Sequence, residues 1–269
     1  MKYYLRFLFV AAFWGILNSI FTGNGDSTTF SSIVLDGGFG NTVLVIADAG
    51  NFFLWYFPLI FFHVFFGTYI YRHFCSASIY FFSRCCNRTL WFLKECGILY
   101  AFSLLYLIIL VTSGTLAVKL QTAVTFDKES WIILAYYLII HSLFLFFTTL
   151  CINLIAILIS SSNGFIFVEG ILLFCIATFF VAGQEYYHSV PAASSHQGLI
   201  KWNPISHIIF SIHSSSIVSV DKLINKNGLD FDLNVSVAVY SMLVMFAVIG
   251  GVIAVNKHNF MDSNLENGG

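Results

Sequence analysis

The sequence predicts an all-α integral membrane protein. It has six transmembrane helices, a basic amphipathic helix on the cytoplasmic face between helices 2 and 3, and an outer segment between helices 5 and 6 that is re-entrant or interfacial. Three observations lead there. Hydrophobic residues make up 58% of the chain and charged residues only 9%, well below the roughly 25% of a soluble domain. Residues 51–71 and 96–118 carry no charge, and each reaches the ~20 apolar residues that a membrane crossing needs. Between them lies a basic stretch with Arg72, Arg84, Arg88 and Lys94. A net charge of −1 gives no electrostatic footprint for nucleic acid.

The spans are expected at about 5–21, 51–71, 96–118, 131–159, 165–182 and 236–255, in a single transmembrane domain that takes in the whole chain, 1–269. The first follows Lys2 and Arg6, which place its start inside. Residues 22–50 carry acids but no Lys or Arg and are rich in glycine, so they form an outer loop with a short strand at 42–46. Asp48 is placed to cap the second span, and Pro58 to kink it. Residues 72–95 form the cytoplasmic connector. Ile79–Phe82 and Leu90–Leu93 flank its arginines, giving apolar and basic sides to one helix. Trp131 opens the fourth span at an aromatic-belt position; residues 160–164 form an inner turn, with Ser162 or Asn163 capping the fifth span. Residues 183–235 form the external segment, whose apolar run 205–212 is too short to cross. Gly250-Gly251 allows close approach by the sixth span. Both termini are then cytoplasmic, in a plasma membrane. This arrangement puts seven Lys and Arg inside and five outside.

Four polar side chains inside the spans stand out as candidates. Glu169 is the one acid there, and pairing with Arg72 or Arg84 competes with snorkelling to the interface. His63 and His141 are read as hydrogen-bonded core histidines rather than haem ligands, and Asn153 as interhelical glue. In the outer segment, Glu185 and His188 stand one helical turn apart, but no second pair completes a metal site. The six cysteines avoid the outer segments, which fits reduced thiols. No paired protease motif and no Gly-x-x-x-x-Gly-Lys-Ser/Thr loop occurs, so the chain lacks that device for holding ATP.

The stretch IYRHFCSASIYFFSRCCNRTLWFLKEC, between the second and third spans, is similar to the cytoplasmic connector of small bacterial type-2 ABC-exporter permeases. KWNPISHIIFSIH, which includes Asn203 and Pro204, resembles their Asn-Pro motif after span five. The resemblance implies a permease subunit. Two such chains, identical or similar, would pair in the lipid and sit on soluble ABC ATPase subunits, with the connector as a coupling helix. It further implies no catalysis and no cofactor in this chain, with ATP and magnesium held by the partner. Arg84, Arg88, Trp91 and Lys94 would be the ATPase-contacting residues. The substrate class implied is an amphipathic peptide or lipid-like molecule, as in bacteriocin immunity or antimicrobial peptide export. The alternative is a membrane-embedded scaffold or intramembrane enzyme without an ATPase.

Overall fold

The computed structural model describes residues 2–22, 27–80, 87–188, 194–229 and 231–257. Long helices dominate: α1 (Lys2–Thr22), α3 (Ala49–Phe66), α4 (Tyr69–Tyr80), α5 (Arg88–Lys119), α6 (Lys128–Leu158), α7 (Ser161–His188) and α10 (Leu233–Lys257). Shorter helices are α2 (Phe30–Gly37), α8 (Ser194–Trp202) and α9 (Val218–Ile224). Among the described residues, five stretches are long and apolar enough to cross a membrane: Ile46–Ser76, Arg88–Lys119, Lys128–Leu158, Ser161–Tyr186 and Leu233–Lys257. The apolar part of α1, Arg6–Ile20, is shorter. Large apolar side chains such as Phe167, Phe174, Phe246 and Ile249 stand exposed on these helices, as a lipid-facing surface requires.

Small residues decide how closely the helices approach. A Cβ at Gly15 of α1 would lie 2.1 Å from Ser113 Oγ and 2.3 Å from Leu110 O, and one at Gly114 would lie 3.0 Å from Gly15 O. The two backbones therefore touch there, as small residues permit in lipid. Phe7 packs on Phe102 and Tyr106 of α5, so α1 runs parallel to α5 from Phe102 to Gly114. At α10, Gly251 takes the ring of Phe92, where a Cβ would sit 2.2 Å from Phe92 Cζ, whereas Gly250 has nothing within 4 Å. Gly164 lies inside α7 and lets it press on α6, a Cβ there being 2.6 Å from Ile152 O. The cap of α7 is Ser160, whose Oγ accepts from Asn163 N at 3.3 Å, in place of the expected Ser162 or Asn163.

The connector differs from its expected form. It is not a separate helix over 72–95: α4 carries the second span on to Tyr80, and α5 begins at Arg88 and runs unbroken into the third span. Asn87 caps that start, its Oδ1 accepting from Thr89 N at 3.0 Å and Leu90 N at 3.2 Å. No glycine or proline separates the Thr89–Leu93 turn from the apolar run behind it until Gly97, so the helix continues. Arg84 lies outside the described residues.

At the other end the loops converge. β1 (Ser27–Thr29) pairs in parallel with β2 (Ala123–Thr125), and β3 (His213–Ser214) with β4 (Phe231–Asp232). Residues 42–46 form no strand; they lead irregularly into a 3-10 turn, Ile46–Asp48. Their polar groups are taken by side chains instead: Val43 N donates to Asp48 Oδ2 at 2.8 Å and Ile46 N to Gln184 Oε1 at 3.1 Å. Asp48 thus braces its own loop and makes no cap bond to α3. The outer segment forms two 3-10 turns, Pro204–Ile208 and Phe210–Ile212, with Ile205, Ile208, Ile209 and Ile212 buried. Phe210 N donates to Gly38 O at 2.9 Å and Ser211 Oγ to Thr42 O at 2.7 Å, which pins the segment beneath the first loop.

Candidate functional site

The helix that should continue from α3 to α4 is broken at Gly67–Thr68, and polar side chains gather around the break. Asn153 of α6 fills it. Its Nδ2 donates to Phe66 O at 2.9 Å and Thr149 O at 2.8 Å, and its Oδ1 accepts from Tyr71 N at 3.1 Å. Backbone groups freed in an apolar medium each cost several kcal/mol if unpaired, so one carboxamide here holds both sides of the break.

One turn before the break, His63 is fully buried. Its Nδ1 lies 2.5 Å from Glu169 Oε1 of α7 and its Nε2 lies 2.7 Å from Thr148 Oγ1 of α6. Proton roles follow from Thr148, whose hydroxyl has the acceptors Phe144 O at 2.8 Å and Leu145 O at 3.2 Å. Donating there, it accepts from His63 Nε2–H. One proton is then shared between Nδ1 and Glu169. The partner of Glu169 among the described residues is this histidine and not Arg72, while the expected pairing with Arg84 lies outside the described residues. The triad joins α3, α6 and α7. His141 has its own setting: Nδ1 donates to Tyr137 O at 3.1 Å, the ring stacks near Phe39, and Nε2 has no partner among the described residues.

Towards the connector, a second acid–histidine pair is half in solvent: His73 Nδ1 lies 3.1 Å from Glu95 Oε2. Of the residues expected to meet an ATPase, two are engaged inside the chain. Arg88 Nη1 donates to Val255 O at 3.3 Å, at the end of α10, and the Trp91 ring lies 5.7 Å from that of Phe74. Leu90, Leu93 and Lys94 are exposed on the same turns.

In the outer segment, Asn203 and Pro204 form a staple. Asn203 Oδ1 accepts from Ile205 N at 2.9 Å and its Nδ2 donates to Cys175 O at 2.7 Å and Thr178 Oγ1 at 3.1 Å, while Tyr240 OH donates to Pro204 O at 2.7 Å. The motif thereby ties the buried turns to both α7 and α10. Glu185 is exposed on the last turns of α7; the side chain of His188 lies outside the described residues. Sequence reasoning missed Ser236, which sits between two histidines. His213 Nδ1 donates to Ile209 O at 2.7 Å, its Nε2 accepts from Ser236 Oγ at 2.7 Å, and Ser236 in turn accepts from His207 Nδ1 at 3.0 Å. Both rings are neutral in this chain of donors, and burial pushes His207 down to about 4 and His213 to about 3. Among the described residues no group of three or more His, Cys, Asp or Glu can hold a metal ion, and Cys75, Cys96, Cys151 and Cys175 are free thiols.

The fold and this buried polar core define a helical protein with several helices fit to span a membrane. No family model matches the chain, and neither a curated protein nor a solved structure matches it.

Proposed function

We propose that the chain is the membrane subunit of an ATP-driven transporter, a permease of the type-2 ABC-exporter kind, with α1 as a sixth span. It pairs with a second permease chain, identical or similar, and is energised by soluble ATPase subunits at the α4–α5 end. The observation that carries the reading is the broken helix. α4 leaves the bundle towards the connector, and its junction with α3 is held by Asn153 and flanked by the His63–Glu169–Thr148 triad. A push at the connector end moves α4 together with the start of α5, to which His73–Glu95 and Phe74–Trp91 tie it, and the polar break turns that motion into a displacement between α3, α6 and α7. The buried, non-crossing turns Pro204–Ile208 and Phe210–Ile212 close the opposite end, where an exporter needs a gate. The substrate proposed is an amphipathic peptide or lipid-like molecule.

The contact surface on this reading is Leu90, Leu93 and Lys94, with Arg84 beside them in sequence; Arg88 and Trp91 act from behind, by fixing α5 on α10 and α4. The internal engagement of those two residues is what favours the rival, a scaffold without an ATPase. A pull-down of the native complex decides. Leu90→Asp with Leu93→Asp releases a soluble subunit bearing a phosphate-binding loop, while the permease inserts and melts normally. Retention of the subunit in full yield, or its absence from the wild-type complex, rules the coupling surface out.

A further inference from the structure

A polar cavity of about 440 Å³ opens at the loop-bearing end, between the end of α1, the loop after α2 and the start of α3. Asp36 and Asp48 both line it, with Asn18, Asn41 and Asn51 beside them and Leu54 and Trp55 as the apolar wall. Neither acid is saturated. Asp36 Oδ1 accepts from Asn41 Nδ2, whose own Oδ1 is held by Lys226 Nζ; Asp48 accepts from Val43 N and Asn51 Nδ2 at 2.8 and 2.9 Å. An ionised carboxylate offers about four acceptor positions, so each keeps room for a donor. Asn18 adds a second, independent observation. It is 6% exposed, lines the cavity from α1, and its Nδ2 has no partner among the described residues. A buried amide donor left unpaired costs about 1–3 kcal/mol unless something supplies an acceptor.

We propose that this cavity binds a soluble organic amine whose ammonium meets Asp36 and Asp48, whose neighbouring carbonyl or hydroxyl oxygen accepts from Asn18, and whose apolar part lies on Leu54 and Trp55. Lys226 Nζ donates to Asn41 Oδ1 beside the cavity, so one ammonium stands next to the two carboxylates and leaves an excess of one negative charge there. Two carboxylates turn away anions, including the phosphate that accompanies the ammonium of an ethanolamine lipid headgroup. A bare metal ion is not served, since no third His, Cys, Asp or Glu joins the two acids. Burial pushes Asp36 up to about 6, against the opposing pull of Lys226 and Asn41. The charged groups that face it are Lys226 and, across the cavity, Asp48. The site does not rest on an ATPase, so it stands or falls apart from the transporter reading.

The test is calorimetric titration of the full chain, in nanodiscs of phosphatidylcholine at pH 7, with leucinamide, which carries an ammonium, a carbonyl and an aliphatic chain. The expected result is saturable binding that N-acetyl-leucinamide does not give. Asp36→Asn and Asp48→Asn each weaken it about tenfold or more, the strength of one charge-assisted contact. Affinity rises between pH 5 and pH 7 as Asp36 ionises. Equal binding of the acetylated control overturns the proposal, as does unchanged affinity in the two variants when their melting is unaltered. Leucinamide binding that disappears once phosphatidylethanolamine is added assigns the same ammonium chemistry to a lipid and overturns the soluble source.

Discussion

At the scale of single residues, the shared proton of the buried triad makes a specific forecast. Glu169→Ala removes the partner of His63 Nδ1 from a fully buried ring. It should destabilise the protein by about 2 kcal/mol, the range of a lost buried hydrogen bond with its desolvated survivor. Glu169→Gln should cost less than half as much, because the introduced amide still donates to Nδ1 while Thr148 holds Nε2. Melting of the detergent-solubilised variants compares the two directly. The outer histidines give a pH forecast. Their values fall from an ordinary 6.5 to about 4 and about 3, so the folded state resists protonation that the unfolded state accepts. Stability is complete above pH 6.5 and declines below it, by up to roughly 1.4 kcal/mol per pH unit for each ring until its folded value is reached. Melting between pH 7 and pH 4.5 should show this decline, and Ser236→Ala should shallow it by leaving both rings with a broken donor chain. Glu169, His63 and Asn153 were legible in the sequence because ionisable or amide groups in apolar runs need partners. The hydroxyl partners of the histidines were not, since Thr148, beside His63, and Ser236, beside His207 and His213, look like ordinary helix residues until the fold brings the rings to them.

Among the elements, glycine shows how much of the packing is decided by backbone contact. Gly15 and Gly170 both lie inside apolar helices, but a Cβ at Gly15 meets Ser113 and Leu110 while one at Gly170 meets nothing within 4 Å. Gly15→Ala should separate α1 from α5 at a cost of about 1–3 kcal/mol, as overpacking does. Gly170→Ala should be neutral or stabilising by up to roughly 1 kcal/mol, through the helix propensity that glycine lacks. Paired melting curves test the contrast. The positions of the long helices were readable from uncharged runs, because apolar length reports a crossing directly. Their ends were less so. α5 was expected to begin near Cys96 and begins at Arg88, because an asparagine cap and an unbroken helix-forming stretch outweigh the local basic charge. The short strand expected at 42–46 does not form, because the Asp48 and Gln184 side chains take its amides. Phe39 sits in this loop with φ 57, a left-handed backbone that a bulky residue rarely adopts. Its ring compensates by packing against Phe52 at 4.6 Å.

For the molecule as a whole, the two ends are distinct, and the proposed topology assigns each a side by its charge. Lys226 meets Asn41, and β1 meets β2, so the loops after α1, α5 and α9 share one end. Arg88 meets Val255 and Asn256 Nδ2 donates to Thr89 Oγ1 at 3.0 Å, so the start of α5 and the end of α10 share the other. The number of crossings depends on α1 alone. Its length of 21 residues gives about 31 Å at 1.5 Å per residue, and it lies parallel to α5 from Phe7 beside Phe102 to Gly15 beside Gly114. A helix so placed points its N-terminus towards the end that holds Arg88, with Arg6 near the level of Phe102, roughly 20 Å along α5 from Arg88; on the proposed topology that end is the cytoplasmic one. Single cysteines, in a background without the native six, read this out with a membrane-impermeant maleimide on intact cells. Asn41→Cys, Leu120→Cys and Lys222→Cys should label from outside. Arg6→Cys, Leu90→Cys and Lys257→Cys should label only after permeabilisation. Labelling of Arg6→Cys from outside, with Leu90→Cys and Lys257→Cys still protected, would reduce α1 to a helix that packs on α5 without carrying its start across, leaving five spans. Labelling of Leu90→Cys from outside would invert the whole arrangement and remove the surface at which an ATPase is proposed to dock.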